Sequence, residues 1–174
     1  MKRKVADLVG EFLRQHVEHV FCISGGASLH LIHGCVNAGI KIVCPQNEQA
    51  ASFQADCYAR IRGMGCAIVT SGPGATNLIT GIATSWYDSV PTLYITGQQT
   101  RNRLKGDSGV RQIGFQETPI VEICAPITKF ALTVMDATQV IFALNEAIKH
   151  AKHGRPGPVL IDIPDDVQRE FVDA

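Results

Sequence analysis

The chain has 174 residues, 45% of them hydrophobic and 6% aromatic, which is typical of a soluble globular protein with one core rather than two. Sixteen basic and sixteen acidic residues give a formal net charge of zero, so the charge balance favours neither nucleic acid nor an acidic membrane as a partner. No apolar run approaches the roughly 20 residues that a membrane-spanning helix needs. A cytoplasmic location is therefore the default expectation.

The first predicted element is an amphipathic helix near the N-terminus. Val5, Val9 and Phe12 recur at helical spacing and would share one face. The opening residues are basic, but Asp7 and Glu11 interrupt any run that could form the core of a signal peptide. We therefore expect a helix of the folded domain here rather than a targeting segment.

Six apolar runs predict β-strands, at residues 19–23, 41–44, 66–70, 92–96, 129–134 and 158–163. The runs are continuous rather than alternating, which is typical of strands covered on both faces. Helices are predicted between them, at about 28–38, 47–62, 75–87, 117–124 and 136–152. This alternation requires right-handed crossovers. The predicted fold is a single α/β domain with three layers, α/β/α, around a mainly parallel six-stranded sheet.

The longest irregular segment is predicted at about residues 97–116. It carries four basic residues and follows a strand. Long loops in compact domains are often functional or mobile, and a solvated surface excursion is the alternative.

The six cysteines include no CxxC pair, and several lie inside apolar runs; they are Cys22, Cys35, Cys44, Cys57, Cys66 and Cys124. Thiols in apolar surroundings behave as small hydrophobic side chains. We expect reduced core thiols rather than zinc ligands or disulfides.

Four predicted strands are followed by unusual sequences, which are SGGAS, PQNEQ, SGPGATN and GQQT. Ligands of open parallel sheets gather beyond the carboxyl ends of the strands. Glycines in these loops let the backbone approach a ligand, or they form tight turns. Glu48 lies in the second loop, where an acid could also serve only to complement the helix dipole.

A dinucleotide site is only weakly indicated by these loops. SGPGATN supplies two glycines of the GxGxxG pattern, but Asn77 stands where the third glycine should be. No GxxxxGK[ST] motif occurs in the chain. Rossmann and phosphate-loop interpretations therefore have little support.

The run NEQAASFQADCYARIRGMGCAIVTSGPGATNLITGIATSWYDSVPTLYITGQ closely resembles the pyrimidine-binding domain of thiamine diphosphate-dependent enzymes, particularly the acetolactate synthase-like group. The likeness extends to ISGGA at 23–27, GFQE at 114–117, TK at 128–129 and GRPGPVLIDIPDDVQ at 154–168. It covers nearly the whole chain in the same order, which makes the ensemble specific. The resemblance implies the thiamine diphosphate-binding fold.

The resemblance implies a chemical role for Glu48. In the family, the glutamate at this position hydrogen-bonds to the N1′ atom of the cofactor's aminopyrimidine. Proton sharing there favours the imino tautomer, whose 4′ nitrogen takes the proton from the thiazolium C2. The cofactor then acts as the electron sink for a 2-oxo acid. A buried carboxyl is expected at position 48.

The family pattern also implies other site residues. The implied catalytic residues are Glu48 and Gln116, with Gln116 facing the reacting centre. The implied cofactor-binding residues are Gly25, Gly26, Glu48, Thr70, Pro73 and Asn77. Gly26 and Ala27 would approach the substrate side. No metal ligand is predicted in this chain.

Some parts of the sequence depart from the family pattern. Acetolactate synthases usually have tyrosine and proline where this chain has Ile23 and Ser24, and the loop at 100–113 is longer and more basic than expected. Because of these two differences, the resemblance does not identify which substrate the enzyme uses. No GDG signature with a distant asparagine-rich segment occurs, so a separate diphosphate-binding domain or subunit would have to hold the diphosphate and Mg²⁺. FAD is possible in the full enzyme but is not expected to bind here.

The resemblance therefore implies one part of a carboligase or lyase acting on a 2-oxo acid, either a fragment or one subunit of a split, homo- or hetero-oligomeric enzyme. We expect the isolated chain to bind the cofactor weakly and not to catalyse. The whole chain, 1–174, is taken as the pyrimidine-binding domain, with about 165–174 as the start of a linker. The alternative is a non-catalytic binding or regulatory module whose basic residues at 101–111 grip an anionic ligand or a protein.

Overall fold

The computed structural model describes residues 1–173. Its strands are β1 Lys2–Lys4, β2 His19–Cys22, β3 Lys41–Val43, β4 Gly65–Val69, β5 Thr92–Gln98, β6 Phe130–Thr133, β7 Val159–Pro164 and β8 Phe171–Asp173. Its helices are α1 Val5–Arg14, α2 Leu29–Asn37, α3 Glu48–Arg62, α4 Pro73–Thr76, α5 Ile79–Asp88, α6 Ile120–Cys124, α7 Val140–Lys152 and α8 Asp165–Arg169. Short 3-10 turns occur at Arg101–Arg103, Ala125–Ile127 and Ala137–Gln139.

The central sheet has six strands in the order β3-β2-β4-β5-β7-β6, and every neighbouring pair is parallel. The predicted α/β fold with a parallel six-stranded sheet is confirmed. The chain runs from β2 outward to β3 and then returns to β4 on the other side of β2. This reversal opens a crevice outside the carboxyl ends of β2 and β4, where ligands of such sheets bind.

Helices cover both faces of the sheet. One core cluster packs α1, α2 and α7 on one face, and a second packs α3, α5 and α6 on the other. The central strands β4, β5 and β7 are buried along their whole length, as continuous apolar runs require. No helix within residues 1–173 is both long and apolar enough to cross a membrane.

Two glycines set the position of α2, which follows the first glycine-rich loop. A Cβ on Gly10 of α1 would overlap the carbonyl group of Gly34 in α2, and a Cβ on Gly34 would overlap that of Ala6. The two helices therefore cross in backbone contact. This contact holds α2 against α1 and so fixes the end of the loop that leads into α2.

The helix that carries Glu48 has clear start and stop signals. The Oδ1 atom of Asn47 accepts a hydrogen bond from the backbone N–H of Ala50 at 2.9 Å, which caps the first turn. Gly63 ends the helix with a left-handed φ of 81°. Glu48 is thus fixed in the first turn of α3, directly beyond the carboxyl end of β3.

The sequence did not predict the small sheet that joins the two chain ends. β1 pairs antiparallel with β8, and Lys2 lies opposite Asp173. Residues 165–173, where the start of a linker is expected, form α8 and β8 against the domain, and Ala174 lies outside the described residues. Three-residue strands carry no readable periodicity, which explains why they were missed.

The expectation that the cysteines are core thiols is wrong for two of the six. All six are free; Cys22, Cys35, Cys66 and Cys124 are buried, but Cys44 and Cys57 are exposed. Cys44 follows the end of β3, which is an edge strand of the sheet. Cys57 lies on α3, among positions that face away from the core.

Candidate functional site

The loops that follow β2 and β4 meet at Thr70. A Cβ on Gly25 would lie 2.5 Å from the Cβ of Thr70, so only a glycine fits there without a shift. The backbone N–H of Ala27 donates a hydrogen bond to the Thr70 Oγ1 at 3.2 Å. The Ser28 hydroxyl donates to the Gly25 carbonyl at 3.2 Å. The contacts of Gly25 and Ala27 with Thr70 join the two loops at the crevice where the strand order reverses, and the Ser28 bond braces the first loop internally.

Glu48 approaches the second of these loops from α3. The Nδ2 atom of Asn77 donates a hydrogen bond to the Glu48 Oε2 at 2.9 Å. The other carboxyl oxygen, Oε1, lies 3.5 Å from the place that a Cβ on Gly74 would take, and that Cβ would also lie 2.7 Å from the Thr70 Cγ2. We call Glu48, Thr70, Gly74 and Asn77 the Glu48 cluster. Glu48 is half-buried rather than fully buried, because the cluster lies at the open end of the sheet.

Gln116 packs against the turn that begins α4. A Cβ on Gly72 would lie 2.6 Å from the Gln116 carbonyl oxygen and 2.7 Å from its Cβ. Gly72 has φ 59° and ψ −121°, a conformation that side-chain-bearing residues avoid. Gln116 itself has a φ of 60°, which is unusual for a residue other than glycine. The close contact therefore requires glycine at position 72, and Gln116 is the residue of the pair whose backbone conformation is strained.

An open cleft of about 700 Å³ lies beside these turns. Three predicted site residues line it, namely Gly26, Thr70 and Gln116. Further lining comes from the end of β5, the loop after it and the start of α8, through Gln98, Gln99, Thr100, Asn102, Arg103, Phe115, Asp165 and Asp166. The lining is mostly polar and carries both charges, so the cleft suits a small, hydrogen-bonding molecule.

The predicted site residues thus fall into two adjoining groups. Glu48 and Asn77 belong to the Glu48 cluster, whereas Gly26 and Gln116 line the cleft, and Thr70 belongs to both. Gly25 supports Thr70 from the neighbouring loop, and Pro73 is exposed at the first position of α4.

Asp162 is a buried acid that the sequence reasoning missed. Its Oδ1 accepts from the Thr96 hydroxyl at 2.6 Å, and its Oδ2 accepts from the Gln98 Nε2 at 3.1 Å and from the Thr133 hydroxyl at 3.2 Å. Burial raises the pKa of Asp162 to about 6, although these hydrogen bonds oppose the rise. The signal was present in the sequence, since an acid within the apolar run VLIDI is unusual.

Asp162 also lines a second cavity of about 300 Å³ beneath the loop that follows β5. Gln98 lies between this cavity and the cleft, because it lines both of them. Its Nε2 also donates a hydrogen bond to the Thr118 carbonyl at 2.9 Å. The end of β5 is therefore tied to the segment that follows Gln116.

The loop after β5 is held by a carboxylate at its end. Glu117 accepts hydrogen bonds from the backbone N–H groups of Lys105 at 2.6 Å, Ile113 at 3.0 Å and Gly114 at 3.4 Å. Desolvation opposes ionisation of Glu117, but these donors outweigh it and lower its pKa. The irregular segment is thus folded around one acid, which the sequence reasoning did not single out.

Arg101 ties the same loop to the C-terminal part of the domain. Its Nε donates to the Asp166 Oδ2 at 2.7 Å, its Nη1 donates to the Met135 carbonyl at 2.9 Å, and its guanidinium pairs with Glu170. The first basic residue of the loop is therefore already engaged by acids of α8 and the residue after it. Within residues 1–173, no three metal-ligating side chains gather in a group that could hold an ion.

A comparison with known protein families shows to which family the chain belongs. The family described as "Thiamine pyrophosphate enzyme, N-terminal TPP binding domain" matches residues 3–123. The chain belongs to this family. Thiamine pyrophosphate is another name for thiamine diphosphate, so the match confirms the resemblance that the loop sequences indicated.

Individual relatives agree with the family match. The chain is 46% identical over 172 residues to "Acetolactate synthase, chloroplastic" of Arabidopsis thaliana, covering 97% of this chain and 25% of the relative. It is 44% identical over 173 residues to "Acetolactate synthase 2, chloroplastic" of Nicotiana tabacum, covering 98% and 25%. It is 43% identical over 183 residues to "Acetolactate synthase" of Arthrospira platensis, covering 99% and 31%. The chain therefore spans about a quarter to a third of these relatives.

The Glu48 cluster fits the aminopyrimidine part of the family's cofactor. A carboxyl group, a side-chain amide and a threonine hydroxyl offer the donors and acceptors that a ring with nitrogen atoms and an amino group requires. Glycine at position 74 leaves the space in front of the Glu48 Oε1 without a side chain. For the diphosphate part of the cofactor, residues 1–173 contain no comparable group of side chains that could bind its metal ion.

Proposed function

We propose that this chain is the pyrimidine-binding part of an acetolactate synthase-like enzyme that acts on a 2-oxo acid as a transferase or lyase. The observation that carries the proposal is the Glu48 carboxyl. One of its oxygens is held by Asn77, and the other faces the glycine turn at Gly74. An ordinary acid at a helix start would not need a partner from a loop 29 residues away.

In this proposal Glu48 holds a proton at the N1′ atom of the aminopyrimidine. Asn77 fixes the carboxyl by donating to Oε2, which leaves Oε1 for the ring. Thr70 limits the space on the side of the cleft, and Gln116 presents its side chain to that cleft. When bound, thiamine diphosphate supplies the nucleophilic carbon and the electron sink for the reaction.

The remaining parts of the enzyme would lie outside this chain. Mg²⁺ and the diphosphate would be held by a second domain or subunit, which would also complete the active site. FAD is a possible further cofactor of that complete enzyme. The proposal also includes an oligomer, such as a dimer, and a cytoplasmic location, although the plant relatives are named chloroplastic.

The alternative function is a non-catalytic module that grips an anion through its basic loop. It has less support, because Arg101 of that loop is already neutralised by Asp166 and Glu170.

The direct test is Glu48→Gln in the enzyme assembled with its diphosphate-binding domain or subunit. Exchange of the cofactor's C2 proton with solvent deuterium is followed by nuclear magnetic resonance. We expect exchange to slow by about 10²- to 10⁴-fold, since positioned proton transfer contributes about that much. Glu146→Gln, on α7 at the opposite face of the sheet, is the control and should leave exchange unchanged. An unchanged rate in Glu48→Gln would instead support the non-catalytic module.

A second experiment tests the need for another domain. Calorimetric titration of the isolated chain with thiamine diphosphate and Mg²⁺ should show weak binding. The reason is that the metal and diphosphate contacts, the strongest electrostatic anchors, would be missing. Tight binding by the isolated chain would contradict that part of the proposal.

A further inference from the structure

Two cysteines lie at the carboxyl ends of neighbouring parallel strands: Cys22 is the last residue of β2, and Cys44 directly follows β3. The register pairs Val20 with Ile42 and Phe21 with Val43, so Cys22 and Cys44 are the next residues along the two chains. Their side chains are in hydrogen-bonding contact. Paired positions of adjacent strands lie about 4.8 Å apart and project to the same face. A disulfide needs Cα atoms about 4.4–6.8 Å apart, so this arrangement suits one.

The two thiols have different surroundings. Cys22 is 1% exposed within the core, whereas Cys44 is exposed to solvent. The pKa of Cys22 is raised to about 12, chiefly by burial, and the neighbouring Cys44 contributes through its charge and a hydrogen bond between the side chains. Cys44 is therefore the thiol that an oxidant can reach, and Cys22 is a protected partner in contact with it.

We propose that Cys22 and Cys44 form a reversible disulfide when the protein meets a peroxide. The Cys44 sulfur first attacks the peroxide, so that an S–O bond forms, the O–O bond breaks and the departing hydroxyl leaves as water with the Cys44 thiol proton. The Cys22 sulfur then attacks the Cys44 sulfur, so that the S–S bond forms and the S–O bond breaks. The second hydroxyl leaves as water with the Cys22 proton. The two thiols together give two electrons to the peroxide, and a dithiol reverses the change.

The bond would join the two strand ends that lead into the functional loops. Cys22 precedes Gly25 by three residues, and Cys44 precedes Glu48 by four. Oxidation would therefore restrict the approach of α3 to the loop after β2. This consequence for the cofactor site rests on the proposed function, but the oxidation itself does not.

The test treats the full chain with hydrogen peroxide, blocks remaining thiols with N-ethylmaleimide and analyses tryptic peptides by mass spectrometry. Trypsin leaves Cys22 and Cys35 in one peptide, 15–41, and Cys44 and Cys57 in another, 42–60. We expect these peptides to be linked, with fragment spectra assigning the bond to Cys22 and Cys44, and dithiothreitol to release it. Cys57→Ser, which removes the other exposed thiol, should keep the link, and Cys44→Ser should abolish it.

A second variant separates the proposal from a simple loss of stability. In Cys22→Ala, Cys44 should accumulate as sulfenic acid, trapped by dimedone several-fold more than in the unchanged protein, because its partner is missing. Cys66→Ala removes another buried thiol of the same core cluster and should not raise trapping. The proposal fails if Cys44 is oxidised only to sulfinic acid or only to a disulfide between chains. It also fails if Cys22→Ala leaves trapping unchanged.

Discussion

Asn77 holds the carboxyl group of Glu48 through a hydrogen bond of 2.9 Å between its Nδ2 and the Glu48 Oε2. The bond connects the residue after α4 with the first residue of α3. It leaves the Oε1 of Glu48 facing Gly74. A carboxyl that must meet one atom of a ring needs such a fixed direction, since a shift of about 1 Å can cost about 10²-fold in rate.

The first prediction is therefore that Asn77→Ala slows C2 proton exchange of the assembled enzyme by about 10-fold or more. Without the amide, Glu48 can rotate away from the ring. Because Asn77 is exposed, its loss should change the free energy of unfolding by only about 0.5 kcal/mol. Nuclear magnetic resonance measures the exchange, and urea unfolding measures the stability.

Thr76→Val provides the control for Asn77→Ala. Thr76 is the preceding residue, and its hydroxyl donates to the Pro73 carbonyl at 3.3 Å rather than to Glu48. Exchange should be unaffected in this variant. In the double variant Glu48→Gln/Asn77→Ala, the two effects should not add, because Asn77 acts through Glu48. Fully additive effects would show that the two residues act separately.

The second prediction concerns the contact between Gly72 and Gln116. Gly72→Ala should destabilise the domain, because its φ of 59° disfavours a side chain and its Cβ would lie 2.6 Å from the Gln116 carbonyl oxygen. Gly154→Ala is the matched control, with a similar φ of 62° but no atom within 4 Å of its Cβ. We expect Gly72→Ala to cost about 2 kcal/mol more than Gly154→Ala in urea unfolding. Equal costs would mean that Gln116 moves away freely.

The fold was largely predictable because its strands are buried on both faces. The runs that became β4, β5 and β7 are mainly apolar and do not alternate with polar residues, and this pattern indicates a parallel sheet covered by helices. The antiparallel pair β1 and β8 was not predictable, since its short strands are paired only by the folding of the whole domain.

The candidate site was predictable only in part. Glycine-rich loops at strand ends indicated where a ligand would bind, and the family resemblance assigned a role to Glu48. The contact of Gly72 with Gln116, and the three donors around Asp162, depend on how distant loops and strands pack. Spacing along the chain carries no information about such contacts.

The third prediction concerns Arg101, which ties the loop after β5 to Asp166, Glu170 and the Met135 carbonyl. Arg101→Ala should remove the side-chain bonds to Asp166 and Glu170, leave Asp166 only the backbone N–H of residue 101, and so loosen the loop. We expect chymotrypsin to cleave after Leu104 or Phe115 several-fold faster, because proteolysis follows the population of the opened loop. Arg103→Ala is the control, since it removes an exposed arginine of the same short turn. Equal cleavage rates in the two variants would contradict the role of Arg101.

The fourth prediction is that Asp162 makes the domain less stable as the pH rises. Its pKa is about 6 in the folded domain, compared with 3.8 for an ordinary aspartate. Between these values the unfolded chain has lost the proton and the folded domain still binds it, so stability falls with rising pH. The contribution of Asp162 should decrease by about 2 kcal/mol between about pH 4.5 and 7.

Urea unfolding across this pH range tests the prediction. The reference is the variant Asp162→Asn, whose side chain cannot ionise. The stability of the unchanged protein relative to Asp162→Asn should fall by about 2 kcal/mol between about pH 4.5 and 7 and level off above the folded pKa. Thr96→Val tests the cause, because the Thr96 hydroxyl lowers the pKa of Asp162 by donating to it. In that variant the fall should continue to higher pH. A relative stability that rises with pH would mean that the hydrogen bonds to Asp162 outweigh its burial.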